Sequence, residues 1–323
     1  MSNLDTAPHP MLRGGLEDVP GQPVHQVLTS RLAPLGGSTV VRRLLPNLGR
    51  RMVGAWCFVD HYGPDDIVDQ PGMWVPPHPH TNLQTVSWLH DGEVLHRDSL
   101  GSLQTVRARE LGLMTAGHGI AHAEQSPARH ARLLHGAQLW VALPGAHRDV
   151  APAFEHHSEL PTLHSRRGLR ATVILGEIDG SASPGTTFSP LLGVDVALDQ
   201  GADVALPLEP DFEHAVLTMS GSVRVDGHAL EPGTMLYLGS GRRELRIEAD
   251  TDSGLLLLGG QPFDEKIVMW WNFIGRSQRD IEEARAAWMA GDERFGAVHG
   301  FDGAPLAAPD LPPGRLRPRG RTR

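Results

Sequence analysis

Val86-Ser-Trp-Leu-His-Asp-Gly92 leads into a second strand-like stretch and then Glu110-Leu-Gly-Leu-Met114. Farther along, Ala215-Val-Leu-Thr-Met-Ser-Gly221 leads into Val223-Arg-Val-Asp226 and then Glu231-Pro-Gly-Thr-Met235. Both stretches read as strand, Gly turn, strand, Glu-x-Gly-x-Met, strand. Self-similarity of this kind sets an architecture before any local reading does, and here it predicts a duplicated β-barrel. Outward from the echo, strand-like runs bounded by turn residues recur at Val24 to Leu28, Thr39 to Leu45, Ala55 to Val59, Leu103 to Val106, Gln138 to Leu143, Ala171 to Leu175 and Val194 to Leu198. The 37 Gly and 26 Pro among 323 residues agree, because so much turn chemistry favours many short strands over long helices. One helix stands apart: Ser277 can cap it with Asp280 three residues on, Ile281, Ala284 and Trp288 share a face, and Gly291 ends it.

Bulk properties narrow the function classes. A formal charge of −9 argues against a broad nucleic-acid footprint, which is a basic patch. The exception is Arg315, Arg317, Arg319, Arg321 and Arg323 among Pro and Gly, read as a solvated, loose tail that an anionic partner can reach. Cys57 is the sole cysteine and cannot form an internal disulfide, and the first residues lack a signal-peptide pattern, so a cytoplasmic protein is expected. The longest purely apolar run, Leu255 to Leu258, is far too short for a transmembrane helix.

The chemistry concentrates in two short segments. In Val75-Pro-Pro-His78-Pro-His80 the imidazoles are two residues apart, so on an extended strand both project to one face. Gly117-His118-Gly119-Ile120-Ala121-His122-Ala123-Glu124 repeats that geometry with His122 and Glu124. A lone histidine is ordinarily a surface or hydrogen-bonded group, and the chain has 18 of them. Two alternating pairs made only of ligand types, on strands that can lie side by side, point instead to a metal centre of His78, His80, His122 and Glu124. Three imidazoles and a carboxylate suit Fe, Mn, Co, Ni, Cu or Zn, with no thiolate to select a soft ion. The flanking glycines place His118 in a turn, beside the pocket or clear of it.

These motifs, with His96-Arg-Asp-Ser-Leu-Gly101, Met114-Thr-Ala-Gly117, Gly259-Gly-Gln-Pro262 and Trp271-Asn-Phe-Ile-Gly275, resemble the pirin family of the cupin superfamily over about residues 22 to 300. The resemblance implies an all-β fold of two tandem cupin, jelly-roll type barrels with a short C-terminal helix. The expected division is a flexible N-terminus at 1–22, a metal-bearing barrel at 23–144, a linker at 145–170, a metal-free barrel at 171–276, a helix and extension at 277–301, and an Arg/Pro-rich tail at 302–323. It further implies one transition metal per chain, with Fe(II) favoured over Zn, Mn, Ni, Co or Cu. Gln84 departs from the pattern, since cupins generally carry a glutamate there and an amide cannot act as a base. That leaves Glu124 as ligand and as the expected catalytic proton acceptor.

Some pirins are quercetin 2,3-dioxygenases, and others regulate transcription or a metabolic enzyme. The first expectation is therefore an iron-dependent oxygenase acting on a flavonol or similar chelating aromatic substrate. The second is a non-enzymatic, redox-dependent regulator with a protein partner, and a purely structural ion is the third. The internal echo carries His78, His80, His122 and Glu124 onto Pro207, Glu209, Arg243 and Leu245, so the second barrel is expected to hold no ion.

Overall fold

The computed structural model describes residues 22–35, 39–165 and 167–321. Its chain is mostly β, and the duplication read from the sequence is visible in the two pairs of sheets. A seven-stranded antiparallel sheet runs in the order Ala153–His157, Leu111–Thr115, Leu83–Asp91, Leu133–Ala142, Trp56–Asp66, Val40–Leu45, Arg31–Pro34. Against it closes a four-stranded sheet, Trp74–His80, Ile120–Gln125, Glu93–Asp98, Leu103–Arg107. The second half repeats both: seven strands ordered Pro23–Thr29, Thr234–Gly239, Glu213–Ser220, Ser253–Gly260, Leu191–Leu198, Leu169–Leu175, Thr162–Ser165, and four ordered Asp203–Pro207, Glu244–Ala249, Val223–Val225, His228–Leu230. The echoed glycines turn equivalent hairpins at φ 85° for Gly92 and 79° for Gly221. A Cβ at Gly92 would stand 2.5 Å from the Leu133 carbonyl oxygen, so only glycine fits.

Period-two alternation divides the apolar residues between two kinds of core. Along Ser253–Gly260, Leu255 and Leu257 point into the second barrel with Val216, Leu236, Leu245 and Ile247. Leu256 and Leu258 point the other way, into a cluster with Trp56, Trp140, Leu217 and Met235 that welds the two large sheets together. The run Leu255 to Leu258 is continuous because both faces of its strand are buried. Trp56 is the hub of this weld, its Nε1–H shared between the Leu192 and Gly259 carbonyls at 3.1 Å each.

Three expectations need correction. The strand Pro23–Thr29, placed by sequence in the first barrel, pairs with Thr234–Gly239 and forms an edge of the second. The stretch 145–170, expected as a linker, contains Ala153–His157 on the edge of the first large sheet and Thr162–Ser165 on the edge of the second. The Arg-rich tail is not loose over its described part. Ala308 and Leu316 are buried, Leu306 N–H donates to the Pro77 carbonyl at 2.8 Å, and Arg319 exchanges backbone bonds with Ile267 at 2.8 and 2.9 Å. Arg321 accepts from the Arg51 N–H at 2.9 Å and sends its guanidinium 3.2 Å from the buried Glu213. Apolar anchors spaced among the prolines hold the tail down, which its charge had hidden. Of the expected flexible N-terminus, residues 1–21 lie outside the described residues.

The helix α1 spans Gln278–Met289. Ser277 and Asp280 form the reciprocal capping box, and Ile281 and Ala284 are its buried face. It packs over Trp270, Trp271, Phe273 and Phe295 beside the first barrel, and Trp288 Nε1–H reaches the Leu306 carbonyl of the tail at 2.7 Å. No helix among the described residues is long and apolar enough to cross a membrane.

Candidate metal centre

Two adjacent strands of the first small sheet carry the four expected donors. Trp74–His80 and Ile120–Gln125 pair antiparallel with His78 opposite His122, and the register slips by one residue between His122 and Glu124. The extra residue falls in the Val75-Pro-Pro segment, where prolines cannot donate to the ladder. Alternation sends His78, His80, His122 and Glu124 inward, where they are 0, 0, 0 and 1 % exposed. The donor nitrogens of His78, His80 and His122 lie within 4.8 Å of one another. Glu124 does not join that tight group; its carboxylate gathers instead with His122 and His96. Ser87 Oγ stands 2.9 Å from Glu124 Oε1, donating to it, and 3.0 Å from Gln138 Oε1.

Which nitrogen of each ring carries the proton follows from its neighbours. Burial holds all three rings neutral: it pushes His78 down to about 3 and His80 and His122 well below the usual imidazole range. A neutral imidazole has one N–H and one lone pair. His78 Nδ1 lies 2.8 Å from the Pro76 carbonyl and His80 Nδ1 3.1 Å from the Asn272 carbonyl, and a carbonyl can only accept. Both protons therefore sit on Nδ1, and both Nε2 atoms are bare lone pairs. His78 Nε2 is buried with no hydrogen-bond partner. His80 Nε2 faces His122 Nε2 at 3.1 Å. Two nitrogens each about 2.1 Å from one ion stand about 3.0–3.4 Å apart for right-angle to tetrahedral geometry, so the residues present fit a transition metal.

The sequence reading missed His96 and Asp98, 3 and 2 % exposed, which face the same interior from the neighbouring strand Glu93–Asp98. Glu124 sits opposite His96 in that pairing and His122 opposite Asp98. The signal was available: His96-Arg-Asp98 is a third alternating pair of ligand types. Gln84 is fully buried, with its Nε2–H donated to Thr115 Oγ1 and to the Thr186 carbonyl, both at 3.0 Å. It braces the first barrel against the following segment. His118 is exposed in the turn before Ile120, its ring against the Val150 carbonyl, and does not reach the donor cluster.

In the second barrel the two equivalent strands are Asp203–Pro207 and Glu244–Ala249. Their inward side chains Val204, Leu206, Leu245 and Ile247 join the apolar cluster that fills the interior. His214 is buried on the Glu213–Ser220 strand, and Arg242 and Arg243 lie outside that packing.

The Pirin family model matches residues 38–141, and the Pirin C-terminal cupin domain matches residues 193–296. A Pseudomonas aeruginosa protein named "Putative quercetin 2,3-dioxygenase PA1205" is 46 % identical over 289 residues, covering 89 % of this chain and 90 % of its own. Rat pirin is 32 % identical over 243 residues, covering 73 % of this chain and 80 % of its own. A crystal structure described as quercetin 2,3-dioxygenase from Acinetobacter baumannii superposes with a TM-score of 0.88 at 42 % identity, covering 91 % of this chain and 97 % of that one.

Proposed function

The chain belongs to the pirin family, and from that premise we propose that it is a metal-dependent dioxygenase of the quercetinase type, acting on a flavonol or similar chelating aromatic substrate. The observation that carries the reading is the pair of bare, buried Nε2 lone pairs on His78 and His80 facing the His122 ring. His78, His80 and His122 would hold the ion, with Glu124 completing the set from the adjacent group. Iron(II) is the ion proposed, on the resemblance to oxygenases of this family. When bound, it would supply Lewis acidity toward the substrate oxygens and redox reach toward O₂.

The protein's own groups handle the proton. The Glu124 carboxylate takes it from the substrate hydroxyl, and the Ser87 hydroxyl donating to Oε1 favours the ionised carboxylate beforehand. Gln84 cannot share that task, because an amide takes no proton at neutral pH and its N–H group is already committed to Thr115 and Thr186. The apolar walls of the barrel exclude bulk water from the reacting groups.

The deciding experiment is anaerobic loading with Fe(II), elemental analysis, and oxygen uptake on a flavonol panel. The expected result is one iron per chain and oxygen consumption with at least one flavonol. Stoichiometric iron without oxygen consumption would favour the second reading, a metal-dependent regulatory protein. That reading draws support from the near-complete burial of all four donors.

A further inference from the structure

Backbone carbonyls fix the protons of His78 and His80, but His122 has no such neighbour. Its Nδ1 lies 3.4 Å from Nδ1 of His96. Behind His96 stands Asp98, whose Oδ2 is 3.2 Å from His96 Nε2. The other oxygen, Oδ1, accepts the backbone N–H groups of Leu100 and Ser102 at 2.9 Å each, which pins the carboxylate in place. A carboxylate so engaged only accepts, so His96 Nε2 carries a proton, and in the neutral ring the lone pair is then at Nδ1. Two lone pairs then face His122, His96 Nδ1 at 3.4 Å and His80 Nε2 at 3.1 Å, and a proton on His122 Nδ1 serves the first while leaving His122 Nε2 bare toward His80. The ring of His96 is held in this attitude by Phe154, stacked at 4.0 Å and 7°.

We propose that Asp98 and His96 are positioning residues which select the tautomer of His122, so that its Nε2 lone pair faces those of His78 and His80. The proposal deepens the metal-centre reading above and rests on it. His96 acts through His122 rather than beside it, because it meets His122 at Nδ1 while the shared centre lies at Nε2. Outer partners of metal-bound histidines commonly fix ring orientation in this way, and their loss weakens binding by about 10–100-fold.

The test is Asp98→Asn, an isosteric change with a definite consequence. The amide oxygen keeps the Leu100 and Ser102 N–H groups, so the amide NH₂ must face His96 Nε2 and force it to accept. His96 then carries its proton on Nδ1 and donates to His122, whose own proton moves to Nε2 and blocks the centre. His96→Phe keeps the stack on Phe154 but leaves His122 free to choose. Nickel(II) affinity by chelator competition should therefore fall about 10–100-fold in Asp98→Asn, fall less in His96→Phe, and partly recover in the double variant. A merely structural role predicts the opposite for the pair, with the double variant worst. Nitrogen-resolved NMR of the metal-free protein gives a second readout: His122 should be protonated at Nδ1 in the wild type and at Nε2 in Asp98→Asn. Wild-type affinity in Asp98→Asn, or a wild-type His122 protonated at Nε2, overturns the proposal. If the wild type binds no nickel, the metal-centre reading fails, and the NMR result alone decides whether Asp98 and His96 set the tautomer.

Discussion

His122→Ala is the sharpest perturbation of the proposed centre, because that ring belongs to both donor groups at once. The centroids of His78, His80 and His96 lie 4.3, 5.0 and 5.3 Å from it, and it is 0 % exposed. Removing it takes away the nitrogen 3.1 Å from His80 Nε2. A metal that binds only the folded chain, present at a thousand times its Kd, stabilises by about 4 kcal/mol. For a chain of this length, at about 2 °C per kcal/mol, the wild type should melt about 8 °C higher with metal than without. The variant should show no such increment. Its metal-free melting temperature reports the packing cost separately, so the two effects are not confused. The assay is thermal melting with and without added ion, paired with elemental analysis after dialysis. One equivalent of retained metal together with the full increment in His122→Ala would refute the assignment.

Glu124→Gln should keep part of the metal yet lose turnover, checked by metal content and oxygen uptake on one sample; undiminished turnover removes Glu124 as proton acceptor. Leu245→Ala should destabilise by about 2–5 kcal/mol in urea unfolding, as expected of a buried leucine in a filled interior, and leave metal content unchanged. The metal-free protein should also weaken in acid. Burial, then the neighbouring ring, pushes His61 down to about 3, while burial and His90 push His135 down to about 4; both titrate near 6.5 when unfolded. The unfolded chain therefore takes up protons first, so stability is full above about pH 6.5 and falls as pH drops toward 4, by up to about 1.4 kcal/mol per pH unit for each ring. His61→Gln should flatten that slope, and an unchanged slope would remove His61 from the account.

The duplicated barrel was legible because two signals survive without any knowledge of neighbours: a turn glycine with positive φ and the period-two alternation around it. Gly92 and Gly221 carry the first, and the strands that follow them, Glu93–Asp98 and Val223–Val225, carry the second. The candidate donors were legible for the same reason, since His-x-His and His-x-Glu share a face whatever the sheet does around them. His96 and Asp98 obey the same alternation, and only the pairing of Glu93–Asp98 with Ile120–Gln125 brings them opposite Glu124 and His122. Edge strands were the weak point. Pro23–Thr29 looks like any other short strand, and nothing local encodes a partner in the other barrel. The tail misled through composition, because five arginines among Pro and Gly resemble a solvated end, whereas a few apolar anchors such as Leu316 suffice to dock it.

The strand exchange has a consequence for how the chain comes off the ribosome. Val27 pairs with Leu236, so the strand waits for 209 further residues before its partner exists, an interval of about 10–40 s at ordinary synthesis rates. The first large sheet needs nothing made later than Ala153–His157 and can close while the rest is still being synthesised. The second large sheet must recover a segment made long before it. Expressed alone, residues 158–321 would leave Thr234–Gly239 as a bare edge, open to pairing with another copy. A synthetic peptide of residues 22–30, supplied in trans, would then be captured along that edge by strand addition, making the fold divisible into two pieces that find each other.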